Sequence, residues 1–157
     1  MMTKLIFDGV KHELSVINDN GGLISTWCAY NNIDSRIPMR HLPNGTYSVE
    51  DRRSPHYHTP DPEGPYGMYG IIRFTVPGHF GIGLHSGRAH HRQNPGPQHA
   101  TQGCIRTTDD AMFQIRNIMR LSPLTTIEVR NNSGSEAATA TQRYQARIYR
   151  TVRAQII

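Results

Sequence analysis

The sequence predicts a mainly β fold, two sheets packed as a sandwich or barrel-like pair, with one helix late in the chain. Three observations predict it. The first half alternates short β-branched and aromatic runs with Gly- and Asn-rich turns. Gly (14) and Pro (10) are frequent, while apolar residues make up only 36% of the chain, as suits a loop-rich, strand-based domain. Only residues 108–121 carry apolar side chains clearly at helical spacing. The 157 residues are enough for a core of their own, and 1–157 is read as a single domain.

Taken in order, Leu5-Ile6-Phe7, Glu13 to Ile17 and Leu23 to Tyr30 are expected strands joined in hairpins. Asp8-Gly9 and Asn18-Asp19-Asn20-Gly21-Gly22 supply the positive-φ residues that tight turns need. Cys28 falls in the third strand and reads as a core residue. Pro38 and Pro43 argue against helix in the connection 31–43, and Gly45 to Glu50 is a further short strand. Ser54 to Tyr69, SPHYHTPDPEGPYGMY, is too long and too proline-rich for a simple turn. It is either a packed surface loop or a flap over a substrate, with Tyr57, Tyr66 and Tyr69 as flat contacts.

Gly70 to Val76 and Phe80 to Leu84 are strand-like. The helix follows Thr107 or Thr108 as cap, with Asp109 and Asp110 in its first turn. Met112, Ile115, Ile118 and Met119 form its apolar face, and Ser122-Pro123 stops it. Thr125 to Arg130 is a strand, 131–141 is a polar connection, and Arg143 to Arg150 fits either a terminal strand or an amphipathic helix.

The formal charge of +5, from 17 basic and 12 acidic residues, suits nucleic acid, an anionic membrane surface or an acidic polymer. The basic residues are scattered and no aromatic-basic RNA motif occurs, so nucleic acid is not an expected partner. No apolar run approaches the roughly 18 residues of a membrane span. The opening MMTKLIFD lacks the hydrophobic segment of a signal peptide, so a soluble chain is expected. Two cysteines make no disulfide framework. The nine histidines, among them His56, His58, His85, His90, His91 and His99, invite a zinc reading. Their spacings match no paired-cysteine site and no HExxH helix, so neither a metal nor any other cofactor is expected.

The chemistry-bearing stretch is HSGRAHHRQNPGPQHATQGCIR, from His85 at a strand end to Arg106. Gly103 directly before Cys104 lets the backbone turn sharply, so that consecutive N–H groups converge on one spot. A thiol with an imidazole beside it has the two parts of an acyl-transfer site, a nucleophile and a general base. Cys104 is the expected nucleophile and His85 its base and later acid. Ser86 or Gly87 orients the imidazole, more plausibly through a main-chain carbonyl than a hydroxyl. The N–H groups of Gln102, Gly103 and Cys104 form the expected oxyanion hole. Arg106 either supports the loop or holds a substrate carboxylate, and Arg73 is a weaker candidate for the second task. Tyr69 and Thr101 complete the expected substrate contacts.

His85-Ser86-Gly87 followed by Thr101-x-Gly103-Cys104-Ile105-Arg106 resembles the active-site signature of the YkuD-type L,D-transpeptidases, and Pro43-Asn44-Gly45-Thr46-Tyr47 is similar to a turn-strand common in such domains. Gln102 stands where many members carry His. The resemblance implies the same two-sheet fold and a peptidoglycan stem peptide cut at an L-to-D bond through a thioester on Cys104. An amine acceptor then gives crosslinking or D-amino-acid exchange, and water gives carboxypeptidase trimming. It further implies action in the bacterial periplasm or cell wall. With no signal peptide visible, the chain resembles antibacterial effectors delivered by a type VI secretion machine, which travel with an immunity protein; a monomer is expected. The competing class is a transpeptidase-like module with an idle cysteine that grips glycan or a protein partner.

Overall fold

The computed structural model of the protein describes residues 2–132. Residues 133–157, and with them the terminal element expected over Arg143 to Arg150, lie outside the described residues. Two sheets and one helix enclose the core.

The larger sheet runs in the order β3-β2-β1-β8-β4. Strands β1 (Thr3–Asp8), β2 (Glu13–Asn18) and β3 (Leu23–Cys28) form an antiparallel meander. Its first turn closes because the Asp8 carboxylate accepts from the N–H groups of Val10 and Lys11, and its second because the Asn18 side chain accepts from Asn20 and Gly22. Strand β8 (Leu124–Arg130) lies parallel to β1 and antiparallel to β4 (Gly45–Ser48). Alternation decides which side faces inward. Leu5, Phe7, Leu14, Val16, Tyr47, Leu124, Ile127 and Val129 are buried while many of their neighbours in sequence remain accessible. Because β3 is an edge strand, its side chains are largely exposed, and Cys28 is exposed too. The expectation that Cys28 is a core residue is corrected by that edge position.

The smaller sheet, in the order β5-β6-β7, comprises β5 (Ile72–Arg73), β6 (Gly83–His85) and β7 (Ile105–Arg106). It joins the larger sheet at a corner, where Val49 bridges Phe74 and Thr75 N–H donates to the Ser48 carbonyl at 2.9 Å. The apolar sides of the two sheets share one core with helix α1 (Asp109–Leu121), which buries Ala111, Met112, Ile115 and Met119. Thr108 caps α1, its Oγ1 accepting from Ala111 N–H at 3.1 Å. Truncating Met112 or Ile115 to Ala costs about 2–5 kcal/mol through the cavity left behind. The helix connects β7 to β8, so its packing fixes the strand that begins one residue after Cys104.

Candidate active site

Strands β6 and β7 are parallel, with Leu84 opposite Ile105 and His85 opposite Arg106. Side chains alternate across a strand, so His85, Arg106 and Cys104 project from one face while Leu84 and Ile105 enter the core on the other. One step back along the register, Cys104 falls opposite Gly83, whose N–H bonds to the sulfur. Cys104 immediately precedes β7, so it and His85 lie diagonally across the β6–β7 pair. Both line one cavity of about 520 Å³, together with Tyr66, Phe80, Thr101 and Gln102. A parallel pair requires a long crossover connection, and the Gly- and Pro-rich segment 86–104 supplies it.

His85 is buried at 3% exposure. Its Nδ1 lies 2.8 Å from the Ser86 carbonyl oxygen. A carbonyl only accepts, so the ring proton sits on Nδ1 and Nε2 keeps the lone pair. The Ser86 side chain turns the other way, and its Oγ donates to Asp109 Oδ1 at 2.5 Å. Tyr66 sets its ring edge-on to the imidazole, with centroids 4.9 Å apart, and His58 stacks on Tyr66 at 3.9 Å. Burial pushes the His85 pKa down to about 4, helped by the Arg106 and His58 charges and opposed by the Ser86 carbonyl. The imidazole is neutral at neutral pH.

The Cys104 thiol is buried and free, and its Sγ donates to the Gly81 carbonyl at 3.6 Å. Burial pushes its pKa up, while the Gly83 N–H and the Arg106 charge pull the other way. Burial thus favours the uncharged form of both the thiol and the imidazole.

The loop around the sulfur is held by long-range bonds. Thr101 Oγ1 donates to the Cys104 carbonyl at 2.7 Å and accepts from Gly103 N–H at 3.2 Å. The buried Asn31 side chain donates to the carbonyls of Gly103 and Cys104 at 3.0 and 3.1 Å. Gly103 takes φ 141°, a backbone conformation that strains any L-residue with a side chain, and a Cβ there would also press on the Ile82 and Met39 side-chain ends. Asn31 was not singled out from the sequence, because only the folded chain brings it to the Cys104 loop, 73 residues away.

Several expected site residues do other work. Arg106 is 3% exposed, with its guanidinium spent on main-chain carbonyls: Ser86 at 3.3 Å, His99 at 2.7 Å, Ala100 at 3.1 Å and Pro65 at 3.1 Å. Of the two roles expected for Arg106, these contacts fit support of the loops. Arg73 makes a two-pronged ion pair with Asp51 at 2.9 Å per contact, on β5 and away from the cavity. Tyr69 packs against Phe113 and under the Arg116 guanidinium on α1, and so does not line the cavity. Thr101 does line it, but both of its short bonds are internal. Gly103 N–H donates to Thr101 Oγ1 at 3.2 Å, so one of the three N–H groups expected in the oxyanion hole has an internal acceptor. The first turn of α1 meets Ser86 through Asp109.

The long loop is both a packed element and a wall of the site. Gly64 and Pro62 carbonyls accept from Arg88 and Ala89 N–H groups, and Met68 N–H donates to Asp109. Pro65 and Tyr66 face the cavity, whereas Tyr57 is 75% exposed. The cavity lining also includes residues that went unnoticed in the sequence, among them Asp34, Pro65, Ala100 and, three residues after His85, Arg88. Among the described residues no cluster of three or more His, Cys, Asp or Glu side chains forms a metal-binding group.

A two-sheet β domain that brings a free thiol and an imidazole to the wall of one cavity holds the two groups that acyl transfer through a thiol requires. Residues 3–129 match the family model of the YkuD L,D-transpeptidase catalytic domain, and the chain belongs to that family. Solved structures share the fold. Bd1075 of Bdellovibrio bacteriovorus superposes with a TM-score of 0.61 at 17% identity, covering 94% of this chain and 55% of that one. An L,D-transpeptidase from Stackebrandtia nassauensis gives 0.55 at 16%, covering 86% and 58%. One from Xylanimonas cellulosilytica gives 0.55 at 19%, covering 82% and 60%. The chain thus spans somewhat more than half the length of these proteins. No curated protein sequence matches it.

Proposed function

We propose that this chain is a cysteine acyltransferase that cuts peptidoglycan stem peptides at an L-to-D bond. The observation that carries the reading is that Cys104, just before β7, and His85, at the end of β6, line one cavity, with Nδ1 of His85 tied to the Ser86 carbonyl. Nε2 of His85 takes the thiol proton as Sγ attacks the carbonyl carbon of the L-centre. The tetrahedral oxyanion collapses, Nε2–H returns the proton to the departing amine of the D-residue, and a thioester on Cys104 remains. An amine or water then attacks the thioester, giving crosslinking, exchange or trimming.

With Gly103 N–H engaged, oxyanion stabilisation falls to the N–H groups of Gln102 and Cys104; removing one such donor typically costs about 3 kcal/mol of transition-state stabilisation. The reading extends to an antibacterial role in the periplasm of a target cell, answered by an immunity protein. Export of the wild type to the periplasm is then toxic, and that of Cys104→Ala is not.

The deciding experiment digests purified muropeptides with wild type and Cys104→Ala. Loss of the terminal D-residue, dimer formation or D-amino-acid exchange by the wild type alone is expected. Identical product profiles for the two proteins would leave the domain as a binding module.

A further inference from the structure

Arg88 is held on the cavity wall by its main chain. Its N–H donates to the Gly64 carbonyl at 3.2 Å, and its carbonyl accepts from Gly96 at 2.6 Å and His91 at 3.2 Å. This fixes the residue at φ 55°, a left-handed conformation that glycine or asparagine adopts at lower cost than arginine. Strain of this kind concentrates where a side chain is needed in one place.

The guanidinium is not satisfied there. Nη1 donates to the Glu63 carbonyl at 3.1 Å, while Nε–H is buried and has no partner. Among the described residues the ion pairs engage Arg36, Arg73 and Arg130, so Arg88 has no carboxylate partner. The cavity offers none either. Its one carboxylate, Asp34, is paired with Arg36 at 2.7 Å. Arg106, the other cation on the wall, is committed to carbonyls. A buried guanidinium N–H without an acceptor is costly, so the side chain gains by turning its planar fork toward a carboxylate that enters the cavity, whose two oxygens match it.

We propose that Arg88 anchors a substrate carboxylate beside the scissile bond, so that the site selects donors bearing a free carboxylate there. The inference rests on the acyl-transfer reading above and deepens it. Two sources carry that chemistry: the α-carboxylate of the terminal D-residue, and a side-chain carboxylate on the L-centre residue. The first makes the enzyme an exopeptidase-type donor selector that reads a chain end. The second makes it a reader of side-chain amidation.

The test uses the full chain and three synthetic tetrapeptide stems: one with both carboxylates free, one amidated at the C-terminus and one amidated on the side chain. Turnover is measured for wild type, Arg88→Lys and Arg88→Gly, and binding of the same peptides for each in a Cys104→Ala background. Arg88→Gly suits the φ of 55° and is expected to melt no lower than wild type, which keeps folding out of the result. Wild type is expected to prefer the free acid over one of the two amides by about ten- to a hundredfold, through KM more than kcat. Arg88→Gly erases that preference by lowering only the acid, and Arg88→Lys keeps part of it. Which amide is rejected names the carboxylate. Equal use of all three peptides by wild type, or an equal drop on all three in Arg88→Gly, overturns the anchor and leaves the acyl-transfer reading standing. If no peptide is turned over, the acyl-transfer reading falls, and the binding arm still decides the anchor: equal affinity for acid and amides refutes it.

Discussion

Ser86 Oγ and Asp109 Oδ1 meet at 2.5 Å across 23 residues of sequence, and the same carboxylate oxygen accepts from Met68 N–H at 3.1 Å. Through this one atom the start of α1 fixes both the residue whose carbonyl orients His85 and the loop carrying Tyr66. Asp109→Ala removes both bonds while Thr108 still caps the helix. Bonds to a charged acceptor contribute about 1.5–3 kcal/mol. We expect Asp109→Ala to lower kcat about tenfold or more with little change in helix content by circular dichroism, and Asp109→Asn, which keeps an acceptor oxygen, to recover part of the loss. An unchanged kcat in Asp109→Ala would show that Ser86 holds His85 unaided.

The neutral state of the thiol–imidazole pair has a kinetic signature. In a Cys28→Ser background, which removes the exposed thiol, alkylation of Cys104 by iodoacetamide is expected to be slow at neutral pH. Its rate should climb toward the alkaline side, because burial raises the thiol pKa. A rate plateau reaching down into the acid range would instead mean a preformed thiolate–imidazolium pair.

Acid stability follows from His85. Its folded pKa of about 4 lies below the ordinary 6.5, so between these values the unfolded chain binds a proton that the folded one refuses. Stability is therefore lost as pH falls through that window, by an amount on the order of 3 kcal/mol for this group alone. The pKa values of His12 and His99 are also lowered, chiefly by burial, and act in the same direction. Thermal melts of wild type should fall between pH 6.5 and pH 4, and His85→Gln should flatten the slope. Parallel pH curves for the two proteins would remove His85 as the cause.

Gly67 shows how closely the loop seats. At φ 70°, a Cβ would sit 2.1 Å from Ser86 Oγ and 2.6 Å from Asp109 Oδ1. The left-handed backbone alone costs a non-glycine residue about 1–2 kcal/mol, and the collision adds to it. Gly67→Ala is expected to lower the melting temperature by several degrees and to reduce turnover with it. A variant as stable and active as wild type would mean that the loop moves aside freely.

Arg106→Lys separates charge from shape. One ammonium group cannot reach carbonyls on Ser86, His99, Ala100 and Pro65 together. The variant is expected to lose at least about 3 kcal/mol in urea unfolding, as several bonds from a charged donor disappear. A loss under about 1 kcal/mol would argue that water replaces those bonds cheaply.

Helix α1 was legible because its signals are local: a capping Thr, acidic residues in the first turn and apolar residues every three or four positions. The meander was legible for the same reason, since its turns carry their own Asp and Asn acceptors. That His85 and Cys104 share one cavity was suggested only by the motif, because β6 and β7 have three and two residues and too little pattern to announce themselves. Arg73 and Arg106 looked available in sequence. Their partners, Asp51 and four scattered carbonyls, are chosen by tertiary contact, which spacing does not encode. Arg88 hid in a polar crossover, where only the folded chain shows which cation lacks a counter-ion.

The crossover between β6 and β7 divides the labour within the site. The register of β6 and β7 sets His85 beside Arg106 and carries Cys104 into the same cavity, whereas Arg88, His99, Thr101 and Gln102 all hang from the intervening segment. A graft that exchanges residues 87 to 100 while keeping both strands would then retune which peptides are accepted and leave the reactive pair where it stands.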